Sequence, residues 1–357
     1  MRVAVVGASG NVGTALLRRF AGDGTVTSVV GIARRPPPAT ALSTGDLPAP
    51  YDVASWVGCD IAFPGPDEPV VERLATALAG ADAVVHLAWA MHPSHDHVAM
   101  HRTNVIGARR VAEAALLAGV PHLVVASSVG TYSPAPDNVP RNERWPIEGV
   151  RSSGYSLDKV TVERGLDEIE HLHPRLVVAR VRSALVFQRA AGRQVTRNFL
   201  GRLVPTRRLA RELPTLPWPR GLRLQAVHAD DLASAYREIV VRRQRGPFNI
   251  AADDVLHAAD VAGLVSGGRY REVAPELARA VVAAAWHARI VPVSPGWVDL
   301  AGAVPVLDTG RAAHLLGWRP VHSSLESLAE VLAGIAEGAG NASPPLRPRK
   351  GVLPRYG

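Results

Sequence analysis

Over the first 180 residues, short apolar runs alternate with longer stretches whose apolar positions recur every three or four residues. The short runs read as buried strands and the longer stretches as helices packed on one side. Strands are predicted at 3–7, 26–33, 83–88, 122–127 and 176–181, with a less regular one near 51–59. Between them, helices are predicted at 11–20, 70–79, 99–118 and 153–170. Strand and helix taking turns in this way is the pattern of βαβ crossovers, hence of a parallel sheet covered on both faces. The rhythm breaks over 188–223, which is rich in Arg, Pro and Leu without a clear period. Segments 226–241 and 247–250 then read as returns to the main sheet, 256–337 as mostly helical, and the proline-rich, basic end as an extended tail.

Glycines sharpen this picture at one point. The first strand runs into Gly7-Ala8-Ser9-Gly10-Asn11-Val12-Gly13, and a helix starts within it. A turn without side chains lets the backbone approach a pyrophosphate, whose charge then faces the helix N-terminus. The expected fold is therefore α/β: a Rossmann-type doubly wound parallel sheet over 1–187 plus 224–252. A smaller, mostly helical C-terminal substrate domain is expected from 188–223 plus 253–337, with 338–357 as the tail. Gly7, Ser9, Gly10, Asn11, Val12 and Gly13 are the expected phosphate cradle. The second strand ends in Arg34-Arg35, where an acidic residue would hold the ribose of NAD. Paired arginines can instead hold a 2′-phosphate, so NADP is the preferred cofactor and NAD the alternative.

Tyr155 and Lys159 stand four apart on a predicted helix, hence on one face. A phenol is a poor acid or base at neutral pH unless its environment shifts it, and an adjacent ammonium favours the phenolate. Ser127 and Ser128 end an apolar strand at the carboxyl edge, where open α/β sheets bind ligands. A hydroxyl there can orient a substrate oxygen.

Composition removes other readings. The net charge is +8, yet there are just two lysines, and the arginines are scattered rather than gathered into a stripe. No nucleic-acid motif accompanies them, so an anionic cofactor or small-molecule substrate is the expected partner, not nucleic acid. No apolar run approaches a membrane span, and the apolar start at 3–6 is a strand rather than a leader. One cysteine, Cys59, excludes an internal disulfide and fits a reducing cytoplasm. The stretch Met91-His92-Pro93-Ser94-His95-Asp96-His97 has the composition of a metal site, but it follows a strand end where a substrate loop is expected, so no metal is assigned. Trp218, Trp286 and Trp297 could line an apolar pocket or simply fill core.

The ordered set GASGNVG, Asp60-Ile61, HLAW at 86–89, Asn104, SSVGTY at 127–132, YSLDK at 155–159, VHADDLA at 227–233 and LGWRP at 316–320 resembles the extended short-chain dehydrogenase/reductase family, the group of nucleotide-sugar epimerases and dehydratases. The resemblance covers nearly the whole chain outside the tail. It implies that Ser128, Tyr155 and Lys159 are catalytic. It further implies that Asp60 and Ile61 meet the adenine, and that Leu87, Ala88, Trp89, Asn104, Ser127, Arg182 and Ser183 serve the cofactor. Trp89, Met91, His92, Ser128, Gly130, Tyr132 and Tyr155 would face substrate, and His228 and Asp231 would lie where the two domains meet. A homodimer paired through the helices 99–118 and 153–170 is a further expectation.

The sequence departs from the family at instructive places. Val129 and Gly130 stand where 4,6-dehydratases carry acidic residues. Leu224, with Arg223 one place off, stands where nucleotide-sugar enzymes grip a diphosphate. The activity expected is hydride movement between nicotinamide C4 and a carbonyl or carbinol carbon. The alternatives are an epimerase with tightly held NAD(P) and a non-catalytic NADP-sensing scaffold.

Overall fold

The structure is a computed structural model that describes residues 1–91, 95–135, 137–200 and 213–347. Its centre is a seven-stranded parallel sheet. In chain order the strands are β1 (Arg2–Val6), β2 (Ser28–Ala33), β3 (Ala54–Gly58), β4 (Ala83–His86), β5 (His122–Ala126) and β6 (Val177–Ser183), with β10 (Gly246–Ile250) at the far edge. Their spatial order is β10-β6-β5-β4-β1-β2-β3. The order reverses between β1 and β4, so loops after these two strands diverge and open a crevice at the carboxyl edge.

Strand alternation divides the core into two layers. Val3 and Val5 of β1 point to one face, where they pack with Leu16, Leu17 and Phe20 of the helix Asn11–Phe20 and with Leu232, Tyr236 and Ile239 of the helix Ala229–Val241. Ala4 and Val6 point to the other, against Leu74 and Leu78 of Asp67–Leu78, Val111 and Ala115 of Gly107–Leu117, and Leu166 of Gly154–Leu172. This is the doubly wound arrangement expected from the pattern.

Three expectations are corrected. Segment 226–241 does not return to the main sheet. Only Ala226–His228 (β9) is a strand, and it pairs with the short β7 (Leu185–Phe187). The remainder is helical, because Leu232, Ala233, Tyr236, Ile239 and Val240 recur at three- and four-residue intervals and bury against Asn11–Phe20. The predicted helix 99–118 is interrupted: His97–His101 passes through a π-helical turn, Arg102–Ile106, before Gly107–Leu117. The described part of the tail is docked rather than free, since Ala342, Ser343 and Leu346 are buried.

Segment 188–223 includes the short helix Gly192–Val195, continued by a π-helical stretch Thr196–Leu200, and the strand β8 (Leu216–Pro219). β8 pairs with β11 (Tyr270–Val273) in a separate two-stranded sheet. Helices Ala258–Val265, Pro275–His287, Pro295–Ala303, Gly310–Leu316 and Ser324–Glu337 complete the chain. Close backbone approaches join these parts. A Cβ on Gly334 would stand 2.2 Å from the Arg189 carbonyl oxygen, and one on Gly296 would stand 2.2 Å from that of Ser152. Asp231 accepts hydrogen bonds from the Val321 and His322 amides, at 3.0 and 2.8 Å, and the Trp318 indole donates to the Asp231 carbonyl at 3.0 Å. Among the described residues, no helix is long and apolar enough to cross a membrane.

Candidate active site

The crevice at the carboxyl edge opens into a cavity of about 960 Å³, near the top of the ~300–1,000 Å³ usual for small-molecule sites. One end is the glycine loop. Gly7 has φ of +91°, and a Cβ there would meet the Ala88 amide nitrogen at 2.6 Å. On Gly13 it would meet the Gly7 carbonyl oxygen at 2.4 Å. These close approaches bring the loop, the strand end after β4 and the helix Asn11–Phe20 together. Gly10 begins that helix with no side-chain cap, and Asn11, Val12 and Gly13 line the cavity. The first-turn N–H groups of a helix have no intrahelical acceptor and carry its positive dipole end. The cradle therefore fits a phosphate. Asn11 is fastened in turn by Gln188, whose amide donates to its side-chain oxygen at 2.6 Å.

Gly7, Ser9, Gly10, Asn11, Val12, Gly13, Arg34, Arg35, Asp60, Ile61, Leu87, Ala88, Trp89, Ser127 and Ser183 all reach the cavity wall, as does Met91. The Asp60–Ile61 loop is held by a residue the sequence reading passed over. Buried Arg110 donates to the carbonyls of Ile61 at 2.8 Å, Phe63 at 3.0 Å and Gly65 at 2.9 Å, and pairs with Asp67.

At the other end, Ser128, Gly130, Tyr155 and Lys159 converge on the same wall. Tyr155 and Lys159 share a face of the helix Gly154–Leu172, whose N-cap Ser153 accepts from the Ser156 amide. Ser128 follows β5 in extended conformation, and its hydroxyl accepts from the Gly130 amide at 3.0 Å. Burial raises the Tyr155 phenol above its ordinary value, and a hydrogen bond with Ser128 opposes that rise.

The expected Tyr155–Lys159 coupling differs in detail. The Lys159 ammonium lies 3.4 Å from the centre of the Trp89 ring and donates to the Ala126 carbonyl at 2.7 Å. It is 5.9 Å from the centre of the Tyr155 ring. Burial brings Lys159 down to about 7, against the opposing pull of Glu163 and Asp158. Of the two rings, Trp89 is thus nearer the ammonium than Tyr155.

Three expected site residues are absent from the cavity wall. Arg182 points to the opposite side of β6 from Ser183, as strand alternation requires. Its guanidinium is buried against Glu163, with Nη2–Oε2 at 2.5 Å and Nε–Oε1 at 2.9 Å, and also donates to the Tyr132 hydroxyl and the Glu143 carbonyl. Tyr132 is fully buried, donates to Asn249 at 2.6 Å, and has its phenol pushed up to about 12 by burial. Asn104 is buried too and clamps the loop after β4, accepting from the Ala90 amide at 2.7 Å and donating to the Ala90 carbonyl at 3.1 Å. Ser127 reaches the wall, but its hydroxyl is bonded to Glu163 and Thr131. The expected substrate residue His92 lies outside the described residues.

Residues from far along the chain close the site: Trp297, one of three tryptophans the sequence offered for an apolar pocket, and Phe199, which the sequence reading missed. Trp297, on Pro295–Ala303, lies 4.7 Å from Tyr155 ring to ring, and Phe199 meets Trp297 edge-on at 5.4 Å. Trp89 meets Tyr155 edge-on at 5.7 Å. Leu300 and Val304 join this wall. Tryptophan content hinted at Trp297, but Trp218 has the same composition signal and fills core, its indole bonded to Leu222. Trp286 instead stacks on His95 at 4.3 Å. Among the described residues, no group of three or more His, Cys, Asp or Glu could hold a metal.

A family model described as the NAD dependent epimerase/dehydratase family matches residues 3–251. An uncharacterised protein of Mycobacterium tuberculosis is 27% identical over 333 residues, covering 92% of this chain and 29% of that protein. A second one from the same organism is 28% identical over 179 residues, 49% of this chain and 45% of that protein. The chain thus spans less than half the length of these curated relatives. Among solved structures, MoeE5 in complex with UDP-glucose and NAD is similar with a TM-score of 0.66 at 21% identity, covering 94% of this chain and 98% of that one. The dTDP-glucose 4,6-dehydratase DesIV from Streptomyces venezuelae, with NAD and TYD bound, has a TM-score of 0.64 at 20% identity, covering 94% and 96%. These structures share the fold. With the family model spanning the glycine loop, Ser128, Tyr155 and Lys159, the chain belongs to the NAD dependent epimerase/dehydratase family, enzymes of the extended short-chain dehydrogenase/reductase type.

Proposed function

We propose that this protein reduces a substrate carbonyl, or oxidises the matching carbinol, with Tyr155 as the proton donor or acceptor. The observation that carries this reading is the meeting of Tyr155 and Ser128 in one cavity with an uncapped glycine-loop helix start. Residues 7–13, Asp60, Ile61 and Leu87–Trp89 would hold a nicotinamide dinucleotide, which would supply or accept the hydride at the substrate carbon. Tyr155 then gives its phenolic proton to the carbonyl oxygen in reduction and receives it in oxidation. Burial keeps the phenol protonated, which suits the donor's role. Ser128 holds the substrate oxygen beside Tyr155. Lys159 would meet the cofactor's ribose by exchanging its contact with Trp89.

Arg34 and Arg35 on the cavity wall support NADP over NAD. Arg197, also on that wall, has its pKa lowered by burial and by the nearby positive charges of Arg193 and Arg35. A 2′-phosphate would relieve that repulsion. The test is titration of the wild type and Tyr155→Phe with NADPH and NADH, together with turnover. Both proteins should bind NADPH more tightly than NADH and with equal affinity, while the variant loses turnover by at least a hundredfold. Retained turnover in Tyr155→Phe would remove the acid–base role, and equal affinity for the two nucleotides would remove the phosphate reading.

A further inference from the structure

The substrate end of the cavity differs in character from its cofactor end. Two aromatic side chains pack on the Tyr155 ring: Trp89 meets it edge-on, and Trp297 lies against it with the ring planes tilted by 38°. Phe199 meets Trp297 edge-on on its own account, so two elements distant in sequence, Thr196–Leu200 and Pro295–Ala303, bring ring faces to one place. Leu300 and Val304 continue the wall. A carbonyl within hydrogen-bond reach of Tyr155 and Ser128 must place its substituents against these surfaces.

A nucleoside diphosphate would need cations or amides there, and two described polar side chains near the expected grip position, Arg223 and Gln225, are bonded to backbone. Arg223, beside the position where a diphosphate grip is expected, is buried and donates to the carbonyls of Ala135 and Val304. Gln225 uses both ends of its amide: its nitrogen donates to the Ala252 carbonyl at 2.8 Å, and its oxygen accepts from the Leu307 amide at 2.9 Å. Turning Arg223 onto a phosphate would abandon the buried Ala135 carbonyl and the part-buried Val304 carbonyl, and buried polar groups are costly to leave unpaired.

Resting on the oxidoreductase reading above, we infer that the substrate is an uncharged aryl ketone, or the corresponding secondary alcohol, and not a nucleotide-diphosphate sugar. Its carbonyl oxygen lies between Tyr155 and Ser128 and its ring packs on Trp297 and Phe199. Rings stack favourably on aromatic faces, beyond the area they bury, whereas a charged diphosphate would lose solvation against these rings.

The test is binding to the NADPH complex of Tyr155→Phe, which separates recognition from turnover. The probes are the aryl ketones 1-tetralone and 2-acetylnaphthalene and, for contrast, UDP-glucose, with binding followed by calorimetry. At least one ketone should bind saturably, at least tenfold more tightly than UDP-glucose. Trp297→Leu should weaken that ketone about five- to tenfold while leaving NADPH affinity unchanged, and Phe199→Leu should act in the same direction if Trp297→Leu folds poorly. Tighter binding of UDP-glucose, or saturable binding of none of the ketones, overturns the substrate class. That failure differs from failure of the oxidoreductase reading, which would appear as absent NADPH binding or as turnover surviving in Tyr155→Phe.

Discussion

Arg182 offers a decisive mutational contrast, because family resemblance places it at the cofactor and the fold places it beneath the helix Gly154–Leu172. Its guanidinium and the Glu163 carboxylate form a two-pronged pair whose side chains are 5% and 2% exposed. Removing one member of such a pair leaves the other buried without its counter-charge, a loss of about 3–5 kcal/mol. Glu163→Leu also strips the Ser127 hydroxyl of its carboxylate partner. Unfolding entropy of ~2.1 cal/mol/K per residue makes a loss of ~4 kcal/mol a drop of about 5 °C in Tm for a chain of 357 residues. Arg182→Met should cost a similar amount, since Glu163 then lacks its main cation.

The double variant should lose at least ~2 kcal/mol less than the two single losses added together, because an apolar pair leaves no stranded charge. Urea denaturation of the four proteins measures this cycle. Alongside it, nucleotide titration of Arg182→Met should give the wild-type Kd within about twofold, since Arg182 does not reach the cavity. Additive losses, or single losses below about 1 kcal/mol, would refute the buried-pair argument. A Kd raised tenfold or more in a folded Arg182→Met would refute its assignment beneath the helix.

Gly7→Ala should destabilise the protein by more than ~3 kcal/mol and abolish saturable nucleotide binding, because left-handed backbone costs ~1–2 kcal/mol and its new Cβ would stand 2.6 Å from the Ala88 nitrogen. Gly22→Ala shares a positive φ of 71° but meets nothing within 4 Å, so it should lose only ~1–2 kcal/mol; similar thermal shifts in the two would contradict the close-packing account. Lys159, lowered to about 7 in the fold from its ordinary 10.5, binds its proton more readily in the unfolded chain. Its penalty is therefore full below pH 7 and is relieved as pH rises from about 7 to 10.5. Urea midpoints of wild type and Lys159→Met at pH 7 and 9.5 should move relative to each other in favour of the wild type at the higher pH, and a constant difference would show that the ammonium is not held down.

The alternation of strand and helix, the glycine loop and the Tyr155–Lys159 spacing were legible because each is a local pattern. A strand repeats every two residues and a helix every three to four, so burial writes itself into neighbouring positions. The helix Asn11–Phe20 matches its predicted bounds for that reason. The same locality explains the error at 226–241, where a short strand and a helix share one apolar run. Sequence also marked Arg182 and Ser183 together, but neighbours in a strand face opposite ways. Only the packing of the helix Gly154–Leu172 on the sheet sent Arg182 to Glu163 and left Ser183 at the cavity. In the same way, the contact of Lys159 with Trp89 and the aromatic wall of Trp297 and Phe199 are apposed across long separations in the chain. No local period encodes such meetings. The sequence by itself determined the fold class and marked Ser128, Tyr155 and Lys159 as candidate groups, while tertiary packing decided what surrounds them.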